Sequence, residues 1–149
     1  MCTRNFSQIV NVIPMDKTKK KVRIMIIEDE EDNLNIYNEY LSYKGHEVVN
    51  TSSRADSTMT DIEKDTADVY LIDYRLPGNK NGIEVATEIL NKFPKAPILF
   101  ISAHEPLRNE ISKIPELHDK NIEVLTKPVR LYRMETSMLN LVNKNSKQL

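Results

Sequence analysis

Two hydrophobic periods alternate along the chain. "VRIMII" (22–27) is β-branched and apolar and predicts a strand. Leu34, Tyr37, Tyr40 and Leu41 then recur at helical spacing over 30–44, and Gly45 stands where a helix stops. "HEVVNT" (46–51) reads as a short strand, and Ala55, Met59 and Ile62 mark a weaker helix over 54–64. "ADVYLID" (67–73) is a third strand. Ile83, Ala86, Ile89, Leu90 and Phe93 form a strong helical stripe that Pro94 ends. "APILFIS" (96–102) is a fourth strand, and Leu107, Ile111 and Ile114 mark a short helix over 106–114, closed by Pro115. "NIEVLT" (121–126) is a fifth strand. Leu131, Met134, Met138, Leu141 and Val142 line a final helix over 129–144.

Five strand–helix pairs in succession predict the α/β class: a doubly wound parallel sheet between two helical layers. The first, third and fourth strands are near-continuous apolar runs, as a parallel sheet covered on both faces requires, and the crossovers are expected to be right-handed. The chain has 149 residues, enough for one domain and too few for two comfortable ones. Residues 1–20 read as an extension ending in the solvated run "DKTKKK" (16–21), with Met15 as a second candidate start. The domain is placed at 21–143 and a tail at 144–149. A net charge of −1 gives no basic field for nucleic acid, so direct DNA binding is not expected. The one cysteine, Cys2, can form neither an internal disulfide nor a cysteine-based zinc site. No apolar run approaches the ~20 residues that span a bilayer, and the first residues make a poor signal peptide. Membrane insertion is therefore not expected, and a cytoplasmic location is.

In an open α/β sheet, ligands gather beyond the carboxyl ends of the strands. Those ends carry Glu28 and Asp29 in "IIEDEE", Asp73 after "VYLI", Ser102 after "ILFI", and Lys127 before Pro128. Taken singly, each has an ordinary explanation: a helix cap for the acids and the serine, a turn for Asp73, a surface position for the lysine. Together at one edge they describe one task. Clustered carboxylates disfavour one another's ionisation, and a divalent cation removes that cost. Mg²⁺ suits the set, because it needs one or two carboxylates, keeps waters and accepts a phosphate oxygen. One carboxylate can take a phosphoryl group as a nucleophile, with Lys127 as counter-charge and Ser102 as hydrogen-bond donor.

The stretches "IIEDEEDN", "LIDYRLPGNKNGIE", "FISA" and "LTKP" together resemble the response-regulator receiver domain of two-component signalling. The resemblance runs from residue 22 to about 143. It implies the flavodoxin-like strand order 2-1-3-4-5 that the chemotaxis regulator illustrates. It also implies Asp73 as phosphoacceptor, Asp29 as direct Mg²⁺ ligand and Glu28 as its acidic neighbour. The backbone carbonyl of Arg75 is implied as a further ligand, and Ser102 and Lys127 as the groups that bond the phosphoryl oxygens. The Lys127–Pro128 bond is implied to be cis. The implied donor is a sensor histidine kinase or a phosphotransfer protein, and the output an unknown downstream protein. Arg75 and His104 fall at positions that tune loss of the phosphoryl group.

The chain also departs from the family pattern. Val124 stands where an inward-swinging Tyr or Phe is usual, three residues before Lys127, which puts the usual signalling face of the last strand and last two helices in question. The loop from Asp73 to Gly82 reads one residue longer than usual. Pro106 and Pro115 bracket a helix expected to be short or displaced. His46 and His118 have no partners nearby in sequence and read as structural or surface residues. An exposed Tyr43 on the first helix would hint at a partner surface. Besides a phosphorylation-controlled module, two alternatives stand. One is a phosphorylation-independent interaction module on the same fold. The other is a phosphatase with an Asp nucleophile, disfavoured by Arg75 where a second Asp would act as general acid.

Overall fold

The computed structural model describes residues 21–52 and 66–147. The predicted extension over 1–20 and the weaker helix over 54–64 lie outside the described residues. β1 (Arg23–Ile27) leads to α1 (Glu31–Tyr43), and β2 (Glu47–Ser52) follows. β3 (Val69–Ile72) precedes α2 (Gly82–Lys92), and β4 (Ile98–Ser102) precedes α3 (Leu107–Ser112). A 3₁₀ turn (Pro115–Leu117), β5 (Ile122–Thr126) and α4 (Leu131–Lys147) complete the order. The strands form one parallel sheet in the order β2-β1-β3-β4-β5. This is the doubly wound α/β class expected from the alternating periods, in the flavodoxin-like order that the family resemblance implies.

The apolar runs form strands because both of their faces are covered. Ile24 and Ile26 of β1, Val69 and Leu71 of β3, and Leu99 and Ile101 of β4 face Tyr37 and Leu41 of α1 and Met134, Met138 and Leu141 of α4. The alternate residues Met25, Ile27, Tyr70, Ile72, Ile98 and Phe100 face Val85, Ala86 and Ile89 of α2 and Leu107 and Ile111 of α3. Successive residues of a strand point to opposite faces, so the single sheet divides the core into two halves.

Several boundaries shift. The third strand ends at Ile72, and Asp73 begins the loop. The short helix occupies Leu107–Ser112, six residues between the two prolines. The final helix runs on to Lys147, beyond its expected end at 144, through the polar run that follows Val142. His46, which has no partner nearby in sequence, is buried and meets Glu135 of α4 at 2.8 Å. Tyr43 is 87% exposed.

Candidate functional site

The ladder hydrogen bonds run past the strand ends and fix the residues that follow. Glu28 N–H donates to Ser52 O at 2.9 Å, Asp73 N–H to Ile27 O at 2.9 Å, and Lys127 N–H to Ser102 O at 2.9 Å. These bonds place all three residues at the carboxyl edge of the sheet. The Lys127–Pro128 peptide is cis.

There the Lys127 Nζ donates to Glu28 Oε1 at 2.8 Å and to Asp73 Oδ2 at 3.3 Å. Glu28, Asp29 and Asp73 each offer an oxygen within 4.8 Å of the others. Glu28 and Asp73 are buried, and Asp29 is exposed at the rim. Burial pushes the Glu28 carboxyl up to about 7. Hydrogen bonds from Lys127 and Asn33 pull it back part of the way, while the charge of Asp73 pushes with burial. Burial also works against the Lys127 ammonium, yet the Glu28 hydrogen bond and the charges of Asp73 and Glu28 outweigh it, so its pKa lies above the ordinary lysine value.

One ammonium therefore faces three carboxylates, two of them out of water. All-oxygen donors with surplus negative charge fit a small hard cation, and Mg²⁺ above softer metals. The burial that makes Glu28 hard to ionise would be offset by such an ion.

The loop after Asp73 is held by close approach. Gly82 N–H donates to Tyr74 O at 2.7 Å. A Cβ at Gly82 would meet Asp73 O at 2.2 Å, so α2 can start against this loop only without a side chain there. Asn81 caps α2, its side chain accepting from Glu84 N–H at 3.0 Å. Arg75 is exposed in this loop.

Ser102 is buried but is not part of the carboxylate–lysine cluster: its Oγ accepts from His104 N–H at 3.1 Å. The His104 ring stacks on Tyr74, with centroids 4.4 Å apart and planes 12° from parallel. Its Nε2 meets Glu110 Oε1 of α3 at 3.0 Å. Burial first, and then the charge of and hydrogen bond to Glu110, raise the Tyr74 hydroxyl above the ordinary tyrosine value. Val124 is buried on the α2–α3 side of the sheet, and Arg108 of α3 donates to its carbonyl at 2.6 Å.

Three of these residues are given no role by the sequence, although Asn33 and Tyr74 lie within the quoted motifs. Asn33 donates to Glu28 Oε1 at 2.9 Å and to Glu30 Oε2 at 3.0 Å. Its signal is its place one turn into α1, within reach of the residue that ends β1. Tyr74 and Glu110 gain their places through His104, a pairing that sequence distance hides.

A family model, the response regulator receiver domain, matches residues 24–138. No curated protein matches the chain. Among solved structures, a CheY-like receiver domain protein from Methanospirillum hungatei JF-1 aligns with TM-score 0.75 at 20% identity, over 87% of this chain and 100% of that one. A response regulator receiver protein from Sinorhizobium medicae WSM419 aligns with TM-score 0.69 at 25% identity, over 85% and 98%. The receiver domain of the Erythrobacter litoralis PhyR response regulator aligns with TM-score 0.70 at 24% identity, over 83% and 91%. Motif, topology and family match coincide over the same residues: the chain belongs to the response regulator receiver domain family.

Proposed function

We propose that Asp73 accepts a phosphoryl group from the phosphohistidine of a sensor kinase or phosphotransfer protein, and that the phosphorylated form signals to a partner protein. The observation that carries this reading is the Lys127 ammonium bridging Glu28 and Asp73 inside the acidic cluster. An Asp73 oxygen attacks phosphorus as the phosphorus–nitrogen bond of the donor breaks, and the imidazole leaves with that bond's electron pair. Lys127 turns from Asp73 to a phosphoryl oxygen, its charge meeting the charge that accumulates there. Ser102 accepts from His104 N–H, so its own hydrogen is free to be donated to a second phosphoryl oxygen. Glu28, Asp29, Asp73 and the Arg75 carbonyl would hold Mg²⁺, which supplies positive charge to the transferring group. The chain catalyses only its own phosphorylation and dephosphorylation, and its place is the cytoplasm. No helix among the described residues is long and apolar enough to cross a membrane.

Incubation with Mg²⁺ and acetyl phosphate, followed by intact mass measurement, is expected to give one phosphoryl adduct on the wild type and none on Asp73→Asn. A wild type that stays unmodified would remove the reading.

Val124 supports a second reading, a phosphorylation-independent interaction module, because the usual inward-swinging ring is missing. Equal partner affinity for wild type and Asp73→Ala would favour it.

A further inference from the structure

The loops that carry Asp73 and Ser102 are joined above the sheet by side chains that no chemical step requires. Tyr74 follows the phosphoacceptor, and its backbone is anchored by the Gly82 amide, so this end is fixed. Its ring stacks on His104 at 4.4 Å. The amide of His104 holds Ser102 Oγ, and its imidazole holds Glu110. Glu110 belongs to α3, a helix of six residues with no side-chain cap. A helix so short has little cooperativity of its own and takes its position from its tethers. Its other ties are Arg108, bonded to the carbonyl of Val124, His118, whose ring meets the Ser112 carbonyl, and the buried Leu107 and Ile111.

We propose that Tyr74, His104 and Glu110 form a relay by which occupation of the Asp73 site repositions α3, in the place of a switching ring at residue 124. This rests on the phosphoacceptor reading above. When Ser102 turns to donate to a phosphoryl oxygen, the His104 amide must follow it or lose its acceptor. The imidazole moves with its own backbone, and Glu110 with the imidazole. The anchored Tyr74 ring gives the imidazole a flat surface to slide on, so the shift runs in the plane of the stack. Movement of Glu110 loads the bond from Arg108, two residues earlier in the same helix, to the Val124 carbonyl. It thereby reshapes the groove of about 460 Å³ between α3 and β5, which Arg108, Ile111, Leu117 and Val124 line.

The test is a titration of the ¹⁵N-labelled full chain with Mg²⁺ and beryllofluoride, read by amide shifts. In the wild type, the amides of Asp73 and Lys127 and those of Leu107–Ser112 are expected to saturate together. His104→Ala keeps the amide bond to Ser102 but removes the ring, so the site amides should still saturate while the α3 shifts fall to about half or less. Glu110→Gln keeps the stack and weakens the last link, and should give an intermediate loss. It also keeps the question open should His104→Ala not fold. Full α3 shifts in both variants would overturn the relay, as would a wild type whose site saturates while α3 stays still. A wild type in which neither region responds would remove the phosphoacceptor reading itself, and the relay with it.

Discussion

Two buried clusters of ionisable groups lie in this fold at similar depth, and they differ in balance. Glu28 is 2% exposed and Glu135 is 5% exposed. Around Glu135, the buried carboxylate meets an imidazole and a hydroxyl. Val22 N–H donates to His46 Nδ1 at 3.3 Å, which leaves Nε2 to carry the hydrogen and donate it to Glu135 Oε2 at 2.8 Å. The Tyr40 hydroxyl reaches Oε1 at 3.5 Å. Four places are tied together: the lead-ins to β1 and β2, α1 and α4. Around Glu28 the count does not match, because Lys127 is shared with Asp73 and Asp29 stands beside them. Depth alone would rank the two clusters equal. Surplus negative charge separates a place suited to a cation and a nucleophile from a place that only holds helices to a sheet.

The largest expected effect falls on the balanced cluster. His46→Ala leaves the Glu135 carboxylate buried without its imidazole, which should cost about 4 kcal/mol. Urea unfolding monitored by circular dichroism, with an unchanged slope, measures it. A loss under about 1 kcal/mol would mean that the balanced cluster holds little together, and the contrast would fail.

The second effect separates the clusters by pH. Glu28 titrates at 4.5 when unfolded and is pushed up to about 7 in the fold. Between those values the unfolded chain has released a proton that the fold retains, so stability falls as pH rises from about 4.5 to about 7 and is level above. A shift of that size corresponds to at most on the order of 3 kcal/mol. Unfolding free energies measured at pH 5 and pH 7.5 without metal should show the decline. Saturating Mg²⁺ or Glu28→Gln should flatten it. A rise over the same interval would contradict the burial cost assigned to Glu28.

How much of this the sequence discloses depends on the range of each interaction. The strand and helix elements follow from local periods, while the sheet order is implied by the family resemblance and the face that each strand residue takes is not declared by the near-continuous apolar runs. Glu28, Asp29, Asp73, Ser102 and Lys127 stand out because each directly follows or ends an apolar run, so the topology alone carries them to one edge. The Glu135–His46 pair is different. The partners lie on separate elements far apart in the chain, and nothing in "GHEV" or "RMETS" signals a contact. Tyr74, His104 and Glu110 are hidden for the same reason. Stacking and side-chain bonds between loops obey no period, and they appear only once the backbone has placed the loops. The end of α4 is hard to read because a polar run, "NKNSK", follows Val142 and carries no apolar period to mark the helix that continues through it.

The smallest effect has the opposite sign to the first. Asp73→Asn removes one of the two buried carboxylates that share Lys127, while Glu28 keeps its 2.8 Å bond to the ammonium. Like-charge repulsion on Glu28 is relieved, and the amide oxygen can still accept from Lys127. Without metal at pH 7.5 this should stabilise the fold by about 1 kcal/mol. The gain should shrink at pH 5, where Glu28 carries its proton and there is less repulsion to relieve. With saturating Mg²⁺ it should vanish or reverse, because the cation already offsets the surplus that the substitution removes. Denaturation midpoints at the two pH values, each with and without Mg²⁺, decide the matter. If Asp73→Asn destabilised the chain about as much as His46→Ala, Asp73 would be a structural partner of Lys127, and the two clusters would be of one kind.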